Sequence, residues 1–455
     1  MGAGYSRACR SYIFLMLGLF PLLGGDYSGI TARKSLLFLL ISACFLLALL
    51  LEKSLSRRTS PSLSFFAAAA KGKGFSPGAA LRRLFPGGAF WHGPSFSLFC
   101  WLLLAVSALL SSLLSPYRAQ CWLGSGRSGG LLFLLLYLLL GWLLSRSARL
   151  EKEHIFVLAF STLLMNGIAL LQLAGGNPLG LYPAGLDYYD AGSRYAEAFL
   201  GSIGNLNQLG GFYCLSLPLL LGQARLEKRP LLRWLLLGCC LLSCAVAVLA
   251  RMEACCLGLL CGLLLSLPGL SARPWLRRQL LACLLALGLV LLAYGLLFPG
   301  PVGSSWWQFH RLLLGMGRDE FGSMRLGIWR VGWELISQRP VLGWGADVLC
   351  LAYRDLFPPG ALLDAVHNEY LAFWLDAGLP GLLAYMTALL SSLIRWFRRS
   401  LSEPCFLLPF AMGCAYAVQA FFSFSTPIVA PLWWLLWGLA LGMERQAEAG
   451  AVLRK

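Results

Sequence analysis

Charge is scarce in this chain. Only 13% of its 455 residues are Asp, Glu, Lys or Arg, against 58% hydrophobic, and mean hydropathy is +0.71. A soluble protein of this length needs far more polar surface, so a water-soluble fold is excluded and a polytopic membrane protein is indicated. Acidic residues are rarer still, 20 against 37 Lys and Arg, for a formal charge of +17. The basic residues punctuate apolar runs and form no contiguous patch, which argues against a nucleic-acid partner. Paired cysteine motifs are missing as well. The 15 cysteines include no Cys-x-x-Cys, and most (Cys239, Cys240, Cys244, Cys255, Cys256, Cys261) sit inside apolar runs as small buried side chains. Cys121 and Cys350 alone fall in loops placed outside the membrane, where a disulfide between them is one option. The histidines His92, His154, His310 and His367 show no metal-ligand spacing, and no metal or cofactor is expected.

What the chain has in abundance is long apolar runs. They occur near 12–24, 35–52, 95–115, 129–145, 154–174, 206–222, 231–250, 253–270, 279–298, 380–396, 405–423 and 429–443. The first follows Arg7 and Arg10 and resembles a signal peptide, but Gly24-Gly25 is a poor cleavage site, so it is taken as an uncleaved span. The stretch 231–270 cannot be one helix: about 40 residues would reach roughly 60 Å, twice the hydrocarbon thickness. It must turn at Arg251-Met252-Glu253, its one polar place, with Arg251 at the tip. The expected fold is therefore all-α, a polytopic transmembrane helix bundle of about twelve spans.

With both termini cytoplasmic, 25 of the 37 Lys and Arg fall on the inner side or at span ends facing it. The outer side keeps 12, half of them in the single long segment 299–379. Three parts follow: an N-terminal transmembrane bundle over 1–298, a large extracytoplasmic loop with short surface helices over 299–379, and C-terminal spans over 380–455. Segment 53–94 is inner, interfacial in composition and without evident chemistry.

The polar residues concentrate in that long loop. Arg325, Trp329, Trp333 and Ile336 or Ser337 share one helix face, ending before Pro340, and Arg330 can pair with Glu334 on another face. An amphipathic helix lying at the interface explains the tryptophans but does not require Arg325 among them. Beyond a loop at 355–360, Asp364 is a suitable N-cap for a surface helix over 365–377, closed by Gly378 and Pro380. With Glu369 and Asp376 it is too short and too charged to span, and it places His367, Leu371 and Trp374 on its inward face. A structural histidine in a first turn is the plain alternative.

The sequence Arg325-x-x-x-Trp329, Pro340-Val-Leu-Gly-Trp-Gly345, His367-Asn-x-x-Leu371 and Gly378-Leu-Pro-Gly381 resembles the O-antigen ligase and O-antigen polymerase superfamily. Two further elements agree. Gly201-Ser-Ile-Gly-Asn205-Leu-Asn207 resembles the family's Gly-x-x-x-Asn-x-Asn motif, and Ala250-Arg251-Met-Glu-Ala its Ser-Arg-Gly-Ala helix start, with serine and glycine both replaced. The likeness covers roughly 195–395. It implies a metal-independent membrane glycosyltransferase that takes a glycan from a polyprenyl-diphosphate carrier and passes it to an acceptor glycan or lipid. The implied location is the outer face of a bacterial cytoplasmic membrane.

The residue chemistry is compatible with that. Guanidiniums meet phosphate oxygens bidentately and stay ionised in poorly hydrated sites, and they can replace the metal of other glycosyltransferases. Arg325 and Arg251 are the leading candidates and Arg330 a third, while the resemblance makes His367 the general base for the acceptor hydroxyl. Asn205, Asn207 and Asn368 either orient sugar hydroxyls or cap helices. Trp306, Trp307, Trp329, Trp333 and Trp344 either stack on sugars or anchor at the interface. The stretch Asp187-Tyr-Tyr-Asp190 is either acceptor-facing or solvated. Two other functions compete. A polysaccharide or lipid-linked-sugar exporter (a flippase) would carry ionisable groups within its spans, whereas here charges cluster at span ends and in one loop. A degenerate scaffold is compatible with the altered Arg251 context.

Overall fold

A computed structural model describes residues 3–25, 29–59, 93–177, 179–183, 185–186, 188–189, 199–271, 273–319, 321–356 and 363–452. Most of segment 53–94, and Asp187 and Asp190, lie outside them. Among the described residues the elements are helical apart from one pair of two-residue strands, in which Phe199–Leu200 pairs antiparallel with Gly204–Asn205. The protein is a multi-pass, all-α membrane bundle.

Every expected apolar run becomes helix. Seven of these helices, among the described residues, are long and apolar enough to cross a bilayer. They are α2 (Ile30–Thr59), α3 (Pro94–Leu113), α5 (Lys152–Leu173), α7 (Pro230–Leu249), α8 (Glu253–Leu270), α9 (Pro274–Leu297) and α13 (Glu369–Ser400). Between and beside them run α1 (Ala3–Phe14, continued through a π turn at Leu15–Leu19), α4 (Leu131–Ser147) and α6 (Leu206–Leu226). Two further apolar helices, α14 (Leu407–Ala420) and α15 (Ala430–Val452), complete the bundle.

The strongest pairings are α13 with α3, α8 with α14, and α15 with α4. Small residues permit one of them. A Cβ on Gly258 would lie 2.5 Å from the Ala415 carbonyl, and one on Gly262 2.7 Å from that of Ala411. Only bare Cα positions, four residues apart, let α8 approach α14 this closely. By contrast α9 buries little besides Gly295 and packs against α8 and the first loop helix, leaving its sides to lipid.

The turn between α7 and α8 falls where bilayer thickness demands it. Arg251 is exposed there in the left-handed region at φ +53°, between buried Ala250 and Met252.

Segment 299–379 carries α10 (Ser305–Leu313), α11 (Phe321–Gln338) and α12 (Leu349–Leu356). It has a small core of its own, in which Leu335, Ile336, Trp344, Val348 and Val366 pack with Cys121 of the α3–α4 loop. Trp344 is 9% exposed and its indole N–H donates to the Leu335 carbonyl at 2.8 Å. It is thus a core residue, neither a sugar platform nor a membrane anchor. Cys121 and Cys350 are both free thiols.

The helix expected over 365–377 is corrected in three respects. Its N-cap is Asn368, whose side chain accepts from the Tyr370 and Leu371 backbone N–H groups at 3.0 Å each. Asp364 is diverted to an ion pair with Arg127. The helix is also no separate surface element, because it runs on into the span as α13, kinked at Gly378 (φ +70°, ψ 180°). Nor does its charge hold it at the surface: Glu369 is 2% exposed, its two oxygens accepting from Tyr385 and Tyr416 hydroxyls at 2.7 and 2.9 Å.

The kink explains two sequence motifs together. Proline at 380 has no N–H for the Asp376 carbonyl, and the break at 378 separates Leu379 from Leu375. The 340–344 loop takes both freed groups: Trp344 N–H donates to the Leu375 carbonyl (2.6 Å), and Leu379 N–H to the Pro340 carbonyl (3.0 Å). Pro-Val-Leu-Gly-Trp-Gly and Gly-Leu-Pro-Gly are thus two halves of one joint. A Cβ on Gly378 would run into the Val341 carbonyl. Gly378→Ala should therefore lower stability by about 1–3 kcal/mol. An unchanged unfolding midpoint in detergent would show that the joint does not depend on this backbone conformation.

Candidate active site

The site is assembled around residues 421–426, the connection between α14 and α15. This stretch exposes backbone carbonyls because it is not helical, and polar side chains from distant elements take them. Gln208, in the first turn of α6, donates to the Phe424 carbonyl at 2.7 Å and accepts from the Thr426 hydroxyl at 2.8 Å. Gln419 reaches back to the Asn207 carbonyl at 2.7 Å. The start of α6 and the end of α14 are thereby stitched together.

Onto this frame α11 lays Arg325. Its Nε donates to the Phe422 carbonyl (3.2 Å), Nη1 to the Gly322 carbonyl (2.7 Å) and Nη2 to Asn207 Oδ1 (3.1 Å). Trp329, one turn on, packs edge-on to Phe421 at 5.3 Å. Burial pulls the Arg325 pKa down and the nearby Glu253 carboxylate pushes it back up. Guanidinium in such a site remains charged.

His367 arrives from the other side. It sits just before α13 in the left-handed region, at φ +49°, between buried Val366 and Asn368. Its ring meets the Phe424 ring edge-on at 4.8 Å. Val366 packs over Gly332 of α11, drawing this segment against the helix that carries Arg325.

The remaining expected residues are placed as follows. Asn205 caps α6, accepting from Asn207 N–H at 2.8 Å, and Asn207 is the Arg325 partner. Arg251 is at the α7–α8 tip, two residues from Glu253, whose carboxylate accepts from the Ser305 hydroxyl at 3.0 Å. Arg330 is exposed and pairs with Asp319 at 2.7 Å in place of the expected Glu334, because Asp319 approaches the start of the same helix. Trp333 is exposed and edge-on to Trp374 at 5.4 Å.

Two features escaped the sequence. Phe424, whose ring meets both His367 and Arg127, carries no local signal. Arg127 stands in the glycine-rich loop Gly124-Ser-Gly-Arg-Ser-Gly-Gly130, a visible break in an apolar context, but its partners are more than 200 residues away. Beneath Phe424 lies a cavity of about 90 Å³ lined by Arg127, Asp347, Asp364, Glu369 and Asp376 among mainly apolar groups.

Asp347 closes the glycine loop, accepting from the Arg127 and Gly129 N–H groups at 3.1 and 2.8 Å. Burial pushes its carboxyl up to about 6, while those N–H groups pull the other way. A carboxyl raised from 3.8 to about 6 adds stability below its unfolded value, and that contribution is lost as pH rises through the folded one. Unfolding midpoints should fall between about pH 4 and 6 by the equivalent of up to about 3 kcal/mol through this group, and level off above that. Asp347→Asn should flatten that part of the profile. Identical profiles would mean that Asp347 titrates normally.

Residues 238–386 match a family model described as O-antigen ligase. The matched span contains Arg251, Arg325, Arg330, His367 and Asn368; Asn205 and Asn207 precede it. No curated protein matches the chain.

Proposed function

We propose that this chain, whose residues 238–386 match a family model described as O-antigen ligase, transfers a glycan from a polyprenyl-diphosphate carrier to an acceptor hydroxyl. The coarse activity, membrane glycosyl transfer of the ligase or polymerase type, comes with the family. The carrier, the base and the anion-binding groups are our reading.

The observation that carries it is convergence on one short loop. The Arg325 guanidinium holds the Phe422 carbonyl, and the His367 ring packs on Phe424 two residues later. Two residues of extended chain span at most about 7 Å. The proposed base and a fixed cation thus meet one short loop from elements that are separate in sequence.

The reaction this supports is a displacement. His367 takes the proton of the acceptor hydroxyl as that oxygen attacks the anomeric carbon. The bond from that carbon to the diphosphate oxygen breaks, and polyprenyl diphosphate leaves with both electrons. Arg325 offers N–H groups beyond its three protein bonds to the departing negative charge, with Arg251 and Arg330 as outer candidates. Asn207 fixes the Arg325 fork, while Asn205 and Asn368 hold the ends of the helices that frame the site. The Lys and Arg distribution supports chemistry on the extracytoplasmic face of a bacterial cytoplasmic membrane, with both termini inside. Ligation and polymerisation share this donor chemistry and differ in the acceptor.

The test is release of polyprenyl diphosphate from a lipid-linked oligosaccharide by purified protein in detergent, with EDTA present and a panel of glycan and lipid acceptors. Acceptor-dependent release in EDTA is the expected result. Failure with every acceptor, together with movement of the lipid-linked sugar across liposomes, would replace transfer with export.

A further inference from the structure

We propose that Arg127 is a positioning residue for His367, acting through Asp364 and the ring of Phe424 and making no contact with the donor. This rests on the assignment of His367 as the base.

The Arg127 side chain does two things at once. At its edge, Nε donates to Asp364 Oδ2 at 2.8 Å. On its face, the guanidinium lies over the Phe424 ring, 4.4 Å from the centroid. The same ring receives His367 edge-on at 4.8 Å, with 84° between planes. The backbone beneath Arg127 is fixed in turn, since Ser125 N–H donates to the Asp347 carbonyl at 2.9 Å and Asp347 holds Arg127 and Gly129. On the opposite side, the Phe424 carbonyl is held by Gln208.

His367 needs such support. Its φ of +49° is unfavourable for a side chain with a Cβ, and it persists only if both flanks are fixed. Asn368 fixes one flank by capping α13. On the other flank Val366 packs over Gly332, and Asp364, three residues before His367, is tied to Arg127. With that ion pair broken, the 364–367 segment loses one of its ties and relaxes toward negative φ, which turns the imidazole away from Phe424.

The pair is partly open, with Asp364 43% exposed. Its contribution to global stability is therefore small, and its loss should disturb the segment more than the fold. Lysine is no substitute, because only a planar guanidinium ion-pairs at its edge while stacking through its face.

The experiment uses the whole 455-residue chain in detergent and the variants Arg127→Lys, Arg127→Gln and Asp364→Ala. Diethylpyrocarbonate modification of each histidine is followed by mass spectrometry, with His154 and His310 as internal references, alongside polyprenyl diphosphate release. The expected result is at least threefold faster modification of His367 alone in all three variants. With it should come a roughly tenfold or greater fall in kcat and a donor KM within twofold of wild type. Unchanged His367 reactivity would overturn the proposal. So would a raised donor KM at constant kcat, which would make Arg127 a donor-binding group. Asp364→Ala breaks the pair without touching the arginine stack, so it decides the matter if the Arg127 variants fold poorly. Modification needs no turnover: a wild type that released nothing would sink the transfer reading, and the positioning role would still be decided.

Discussion

His367→Asn should insert and fold as the wild type does while releasing polyprenyl diphosphate about 10²–10⁴-fold more slowly, the usual contribution of a positioned general base. Asparagine is the informative replacement because it tolerates the left-handed backbone that His367 adopts. Alanine removes the imidazole as well, but it also lacks a side chain suited to φ +49°. Its loss of activity would mix chemistry with a shifted helix start. The measurement is single-turnover release from a lipid-linked oligosaccharide, paired with an unfolding midpoint for each variant. An asparagine variant within a few-fold of wild type would remove His367 from proton transfer. The ring would then be a packing partner of Phe424.

Arg325→Lys should cost a similar amount, about 10²–10³-fold in release, although the charge is kept. The guanidinium serves the Phe422 and Gly322 carbonyls and Asn207 Oδ1 with three differently directed N–H groups. A compact ammonium cannot reproduce that fork and still face a diphosphate. It leaves acceptors short of partners, each costing about 1–3 kcal/mol if buried, so some fall in stability is also expected. Asn207→Ala separates the two effects, because it removes one of the three bonds and leaves the guanidinium in place. If Arg325 stabilises the leaving group, Arg325→Lys loses far more activity than Asn207→Ala for a comparable drop in melting temperature. Equal activity losses at equal destabilisation would make Arg325 a structural strut.

Both predictions concern residues that the sequence singles out, and the reason they stand out is local. Arg325 and Trp329 are one helical turn apart, and His367-Asn368-Glu369 is a polar break beside a long apolar run. A membrane chain tolerates few such breaks. The helix boundary at 368 was less legible. Asp364 and Asn368 are both good N-cap residues, and nothing within that segment chooses between them. Arg127 makes the choice by taking the Asp364 carboxylate, across 237 positions of chain. The two glycine-proline motifs were visible as motifs, but not as mates: their union is two backbone hydrogen bonds around a kink.

What the sequence alone determined is the membrane class, the helical hairpin at Arg251 and the place of the long polar loop. These follow from apolar run length set against bilayer thickness, a comparison that needs only neighbouring residues. Tertiary structure alone decided that Phe424 lies between Arg127 and His367, that Arg325 is anchored on the Phe422 carbonyl, and that Trp344 is core. Those outcomes depend on which unsatisfied carbonyl or ring face each side chain meets once the helices have packed, and no local pattern encodes a partner two hundred residues away.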